Sequence, residues 1–244
     1  MLMYTIRRLI VLVILVTAST FAGPPFKTDD PQPVDFQHWE FYLASVQQFT
    51  KQESGATAPH IEINYGAAPG VQLHVVAPLA YVNTAAGTHY GYSDTELGLK
   101  YRFINETETL PQIGIFPLVE IPTGSADKQL GNGKIQAYVP LWIQKSWGKL
   151  TTYGGGGIWV NPGPGRQNWG FAGWEVQYDY SDLLTLGGEI TSQTSPSQDA
   201  HSSAGVTVGG FLNFTSQHHI LFSVGHSLTG EPTFSGYIGY QLTV

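Results

Sequence analysis

Residues 134–160 read KIQAYVPLWIQKSWGKLTTYGGGGIWV, two long segments on either side of a tight turn. Ile135, Ala137, Val139, Leu141 and Ile143 fall at every second position, with Gln136, Tyr138, Pro140, Trp142 and Gln144 between them. That is the period of a strand with two unlike faces. Trp147, Gly148 and Lys149 reverse the chain, and Thr151, Tyr153 and the glycines Gly154 to Gly157 lead into Ile158, Trp159 and Val160. The stretch predicts a β-hairpin whose arms are long for a soluble sheet, where about five or six residues are usual, and right for a membrane-crossing strand of about nine to eleven. Trp147 at the turn, with Tyr138, Trp142 and Trp159 further along, stands where a bilayer places amphipathic rings.

Composition narrows the classes further. The chain holds 29 glycines and no cysteine, and 12% of its residues are charged. This favours an all-β protein and excludes disulfide frameworks, thiol chemistry and cysteine-bound metals. The net charge is −7, and the pair Arg7-Arg8 at the N-terminus is followed by no basic stripe, so nucleic acid is not expected as a partner. Residues 1–22 read as a secretory signal peptide: Arg7-Arg8, the apolar run from Leu9 to Val16, and Thr20-Phe21-Ala22 before a cut that leaves Gly23 first. No later apolar run is long enough for a membrane helix, so a membrane form must be a closed barrel.

Residues 23–37, GPPFKTDDPQPVDFQ, carry four prolines and no strand pattern, which predicts an irregular lead-in. From residue 38 to 244 alternating segments follow one another. They begin at Trp39 to Phe49, His60 to Tyr65, Val71 to Val82, Glu96 to Phe103 and Pro111 to Ile121; the hairpin supplies the sixth and seventh. Trp174 to Tyr180, Leu184 to Thr191, Val206 to Phe214, Ile220 to Ser227 and Phe234 to Val244 complete twelve. An even number suits a single-chain outer-membrane barrel. Short connections after segments two, six, eight and ten, against longer ones after one, three, five and nine, predict two unlike rims. The expected fold is therefore an all-β transmembrane antiparallel barrel. Its less regular face carries Glu62, Glu96, Lys100, Arg102, Glu120, Glu175 and Glu189, which must meet water, leaving the apolar face for lipid.

The lead-in GPPFKTDDPQPVDFQHWEFYLAS and the run AYVPLWIQKSWGKLTTYGGGGIWVNPGPGRQNWGFAGW resemble the outer-membrane barrel family labelled putative MetA-pathway of phenol degradation, with TDDP and TTYGGGG the distinctive parts. The resemblance spans nearly the whole mature chain and implies a transporter-like barrel related in style to channels for fatty acids and aromatic hydrocarbons.

Function follows as an expectation: a porin-like outer-membrane channel or transporter passively passing small hydrophobic or aromatic molecules, without cofactor or metal. The substrate-path candidates are Glu62, Glu96, Lys100, Arg102, Glu120, Tyr138, Trp142, Glu175, Glu189 and Phe211, chosen by strand parity. Thr28, Asp29 and Asp30 are candidates for a plug, the aspartates pairing with Lys100 and Arg102 inside the barrel; the competing reading lets Glu62, Glu96 and Glu120 neutralise those bases and leaves the lead-in a loose tail. Expected partners are outer-membrane lipid, the barrel assembly machinery, for which the alternating C-terminal strand resembles the signal, and small hydrophobic or aromatic solutes. Two other classes stay open, a lipid-acting enzyme using Ser227 beside His226 and a closed structural or adhesive barrel. Against the first, neighbours on a strand point to opposite faces.

Overall fold

The computed structural model describes residues 24–85 and 87–244, so the expected signal peptide lies outside the described residues. The chain forms one antiparallel sheet closed on itself, a transmembrane barrel of twelve strands. They are β1 (Trp39–Phe49), β2 (Ser54–Ala68), β3 (Val71–Thr84), β4 in two pieces (Gly87–Tyr92 and Thr95–Ile104), and β5 in two pieces (Gln112–Ile115 and Leu118–Ile121). Then come β6 (Gln136–Trp147), β7 (Leu150–Val160), β8 (Trp169–Asp179), β9 (Leu184–Gln193), β10 (Ser203–Asn213), β11 (His218–Thr229) and β12 (Phe234–Thr243). Closure is the pairing of β1 with β12, from Glu40 opposite Thr243 to Phe49 opposite Phe234. A closed sheet leaves no unpaired edge, which is what allows strands to cross hydrocarbon.

The alternation is inside-out by the standard of a soluble protein. Leu43, Leu73, Leu99, Leu141, Val176, Ile190, Val208, Val224 and Ile238 are exposed, while Gln72, Lys100, Gln144, Glu175, Gln177, Glu189 and Gln241 are buried. The hairpin of residues 134–160 follows the same rule, with Val139 and Leu141 outward and Gln136, Tyr138, Trp142 and Gln144 inward. Around the rim that carries both ends of the barrel domain runs a girdle of outward aromatics: Trp39 stacked on Tyr65 at 4.3 Å, Tyr101 beside Phe103, and Tyr178 against Tyr180. We call this the terminal rim and the opposite one the far rim. Amphipathic rings at that height are what a membrane interface selects.

Several expectations need correction. Tyr138, Trp142 and Trp159 do not belong to an interfacial belt, because Tyr138 and Trp142 are buried in the lumen and Trp159 stacks on Tyr138. The connections after β1 and β3 are short, because residues 54–59 and 87–92 extend the strands instead of forming polar loops. Their small and polar residues (SGATAP, GTHYGY) hide the strand period, and only pairing with β1 and β3 reveals it. The fifth strand is interrupted at Phe116-Pro117, where proline cannot donate to the ladder.

Candidate functional site

The lumen divides along its length into a filled half near the terminal rim and an open half near the far rim. The filled half is occupied by the lead-in. From the start of β1 the chain runs back into the barrel: Val34 N–H donates to Gln72 Oε1 at 2.9 Å, and Arg102 donates to Gln32 and, at 3.1 Å, to Gln112. Deeper in, Lys100 Nζ lies 2.8 Å from Asp29 Oδ1 and 3.7 Å from Asp30 Oδ1, and over the ring of Phe116 at 4.9 Å. Glu189 then accepts from the backbone N–H groups of Lys27 and Thr28 and from Thr28 Oγ1 at 2.7 Å. Ser223 Oγ donates to Pro25 O at 2.6 Å. Phe26 finishes the path among Tyr42, Phe211 and Leu221.

The wall is cut to receive this segment. A Cβ on Gly173 would stand 2.1 Å from Thr28 Oγ1, and one on Gly66 would stand 1.9 Å from Asp35 O. Gly114 faces Pro31 and Gly187 faces Phe26 and Glu175 in the same way. These glycines are empty on the lumen side because lead-in atoms take the space a side chain would fill.

Electrostatically the segment is a pair of aspartates brought against one buried lysine. Thr28 and Asp30 are fully buried, and burial pushes the Asp30 carboxyl up to about 7, opposed by Lys100 and reinforced by Asp29. Charges of this kind are tolerable only when paired and hydrogen-bonded. Of the two lumen bases, Lys100 meets the aspartates and Arg102 does not; its bonds go to Gln32 and Gln112. Glu62 and Glu96 do not neutralise these bases either, for they flank His74 at 3.6 and 2.9 Å.

The open half contains a cavity of about 500 Å³. Its polar side is formed by Asp29, Glu62, Asp94, Glu96 and Glu120, with His60 and His74; its apolar side includes Val76, Phe116 and Leu118. The segment between β5 and β6 folds over it. Asp94 accepts from the backbone of Gly124 at 2.9 Å and of Asn132 at 2.5 Å, Asn132 Nδ2 donates to Glu120 at 2.8 Å, and Leu130 is buried beneath. Arg166 Nη2 donates to Asn132 O at 2.7 Å from the neighbouring loop.

Beside this lies an aromatic ladder. Tyr138 stacks on Trp159 at 4.9 Å, and Trp159 on Trp169 at 5.6 Å, continuous with the buried cluster of Phe116, Tyr138 and Trp142. The sequence-chosen residues therefore fall into three places. Glu62, Glu96 and Glu120 line the open cavity. Tyr138 belongs to the ladder and Trp142 to the buried cluster that continues it, and Lys100, Arg102, Glu189 and Phe211 hold the lead-in. Glu175 is fully buried in the filled half, against Gly187. Sequence reading missed Trp159, Trp169, Asp94 and Arg166. Trp159 follows the four glycines, where parity carries no marker, and the other three lie at or beyond strand ends.

Ser227 offers no nucleophile paired with its neighbour. Its Oγ donates to Glu231 O at 2.9 Å and accepts from Thr233 N–H at 2.8 Å, closing the last hairpin, while His226 Nδ1 lies 2.6 Å from the Ser227 carbonyl oxygen. Among the described residues no group of His, Asp or Glu has the arrangement of a metal centre.

Neither a family model nor a curated protein matches the sequence. Solved structures do match the fold. The COG4313 outer membrane channel from Pseudomonas putida F1 aligns over 88% of this chain and 98% of its own, with a TM-score of 0.74 at 15% identity. The NanC porin aligns over 83% and 98%, with a TM-score of 0.59 at 7% identity. The CymD monoaromatic hydrocarbon channel aligns over 86% and 89%, with a TM-score of 0.51 at 7% identity. At these identities the likeness concerns architecture, and the chain has the fold of outer-membrane channels.

Proposed function

We propose that the protein is an outer-membrane channel of the kind labelled MetA-pathway, passively passing small hydrophobic or aromatic molecules. The observation that carries this reading is the aromatic ladder of Trp169, Trp159 and Tyr138, cross-strand neighbours on β8, β7 and β6 that line the lumen near the far rim of a barrel whose exterior is apolar. Stacked rings hold planar apolar solutes without requiring a specific hydrogen-bond pattern. The fold is shared with a channel for monoaromatic hydrocarbons, in keeping with that class. In this reading the leader is cut after Ala22, barrel assembly machinery inserts the product into outer-membrane lipid, the far rim faces outward and the terminal rim faces the periplasm. Glu62, Glu96, Glu120, Tyr138 and Trp142 line the path, and the lead-in, with Thr28, Asp29 and Asp30 at its centre, plugs the periplasmic half.

The filled terminal half favours a second reading, a closed structural barrel. Flux into proteoliposomes separates the two. Entry of a small phenol or toluene analogue faster than a neutral sugar of equal mass, slowed by Trp159→Ala, supports the channel. Equal and negligible entry of both solutes, with and without residues 24–34, supports the closed barrel.

A further inference from the structure

At the far rim the aromatic ladder borders a second cavity, of about 420 Å³. Trp159 and Trp169 line it together with Arg166 and the amides of Asn132, Gln136 and Asn161. Backbone geometry sets Arg166 in place. The loop between β7 and β8 begins Asn161-Pro162-Gly163-Pro164-Gly165, has positive φ at both glycines, and brings Arg166 N–H to Gly163 O at 3.2 Å. It is stitched to the loop between β9 and β10 by Gln198 N–H on Gly165 O at 2.9 Å and Gln167 N–H on Pro196 O at 3.1 Å, with Arg166 bridged to Ser197. A braced loop of this kind holds its side chain before any solute arrives, which lowers the ordering cost of binding.

One end of the guanidinium serves the fold and the other does not. Nη2 donates to Asn132 O at 2.7 Å, whereas Nη1 is buried and has no hydrogen-bond partner among the described residues. The neighbouring amides are engaged elsewhere: Asn132 Nδ2 donates to Gln136 Oε1 at 2.6 Å, Gln136 Nε2 to Asn161 Oδ1, and Asn161 Nδ2 to Pro196 O at 2.9 Å. Glu120 lines the same cavity, but it accepts from Asn132 Nδ2 at 2.8 Å, and among the described residues no carboxylate lies within 4 Å of Arg166. A buried donor on a charged group is costly to leave unmade, and a guanidinium is shaped to meet a carboxylate. Indole rings beside it offer a flat apolar surface.

We propose that this cavity is a binding site for small aromatic carboxylates at the mouth of the channel: the carboxylate accepts from Nη1 of Arg166 while the planar ring lies against Trp159 and Trp169. Its volume lies within the range of small-molecule sites. The inference rests on the channel reading for its purpose, and it narrows the solutes from aromatic molecules in general to those that carry an acid group.

The test is equilibrium dialysis of the folded barrel in detergent, with protein-free micelles as the blank. Retention of radiolabelled benzoate is compared with that of benzyl alcohol, which has the ring without the charge, and of cyclohexanecarboxylate, which has the charge without a flat ring. Benzoate should bind about tenfold or more tightly than benzyl alcohol, the worth of a hydrogen bond to a charged group, and severalfold more tightly than cyclohexanecarboxylate. Arg166→Gln, checked for folding by heat-modifiable gel mobility, should remove the preference over benzyl alcohol; a loop merely loosened would weaken both solutes and keep the preference. Should that variant not fold, Trp169→Leu should remove the preference over cyclohexanecarboxylate and keep the one over benzyl alcohol. Benzoate held no better than the blank, benzyl alcohol held as well as benzoate, or preferences that survive these substitutions overturn the proposal. Passage of a neutral phenol without retention of benzoate keeps the channel and removes the site. Retention of benzoate by a barrel that passes nothing keeps the site and removes the channel.

Discussion

The two halves of the lumen are built on the same twelve strands with the same alternation, yet one is packed and the other hollow. In the terminal half, Lys100, Glu189, Ser223 and Gln72 are all engaged by lead-in atoms, and glycines in the wall make room for its chain. In the far half the inward side chains meet one another and a covering loop, around open space. The difference teaches that a barrel's strand pattern decides only that its interior is polar. Whether that interior is filled or open depends on what else enters it: Gly66 and Gly173 leave room for lead-in atoms in one half, and no lead-in chain crosses the other.

The largest effect that would break this contrast is removal of the lead-in. Without residues 24–34 single-channel conductance in planar bilayers should rise severalfold; an unchanged conductance would show that the narrowest point is the loop over the far half instead. Next comes Lys100→Met, which leaves the buried Asp30 and the half-buried Asp29 beside no base. Removing one partner of a buried pair costs about 3–5 kcal/mol. Protease access to the lead-in should increase while heat-modifiable mobility persists, because the barrel wall does not depend on this pair.

Leu141→Lys probes the wall itself. Leu141 is exposed near the middle of β6, and a lysine on the lipid face at that depth costs about 2–4 kcal/mol, read as a lower urea midpoint for unfolding from vesicles. Conductance of the folded fraction should not change, which separates exterior from lumen effects. Gly173→Val is smaller: overpacking against Thr28 costs about 1–3 kcal/mol and should loosen the lead-in without unfolding the barrel, seen as faster hydrogen exchange at Lys27 and Thr28. Alanine at Gly148, where an added Cβ meets nothing within 4 Å but φ is +61°, strains only the β6–β7 turn and should leave that exchange alone. Smallest is Ser223→Ala, losing one hydrogen bond to Pro25 O, about 1 kcal/mol, with a slight rise in lead-in exchange.

Much of the architecture was legible because a strand advertises itself locally. Leu97, Leu99, Tyr101 and Phe103 alternate with Glu96, Gly98, Lys100 and Arg102, and the structure turns the first set outward and Lys100 in. The residue 134–160 hairpin pairs in the register its turn implies, Trp147 opposite Leu150 and Val139 opposite Ile158. Strand parity points Tyr138 and Trp142 inward, where the structure puts them, so only their place in an interfacial belt fails; Trp159 follows four glycines that carry no period. Strands beginning at Ser54 and Gly87 were missed in part because their first residues are small or polar and have no period of their own.

By itself the sequence determined the class of the protein, since the twofold period over residues 38–244 and the even number of segments point to a closed membrane barrel, which pairs every backbone group. It also determined which residues face inward on the regular strands, because side-chain direction in a strand is set one residue at a time. The tertiary structure alone decided what those residues meet: Lys100 with Asp29, Glu189 with Thr28, Trp159 with Tyr138, Asp94 with the loop over the far rim. Such partners come from residues far apart in the chain. Closing the ring sets their distances, and no local period records that step.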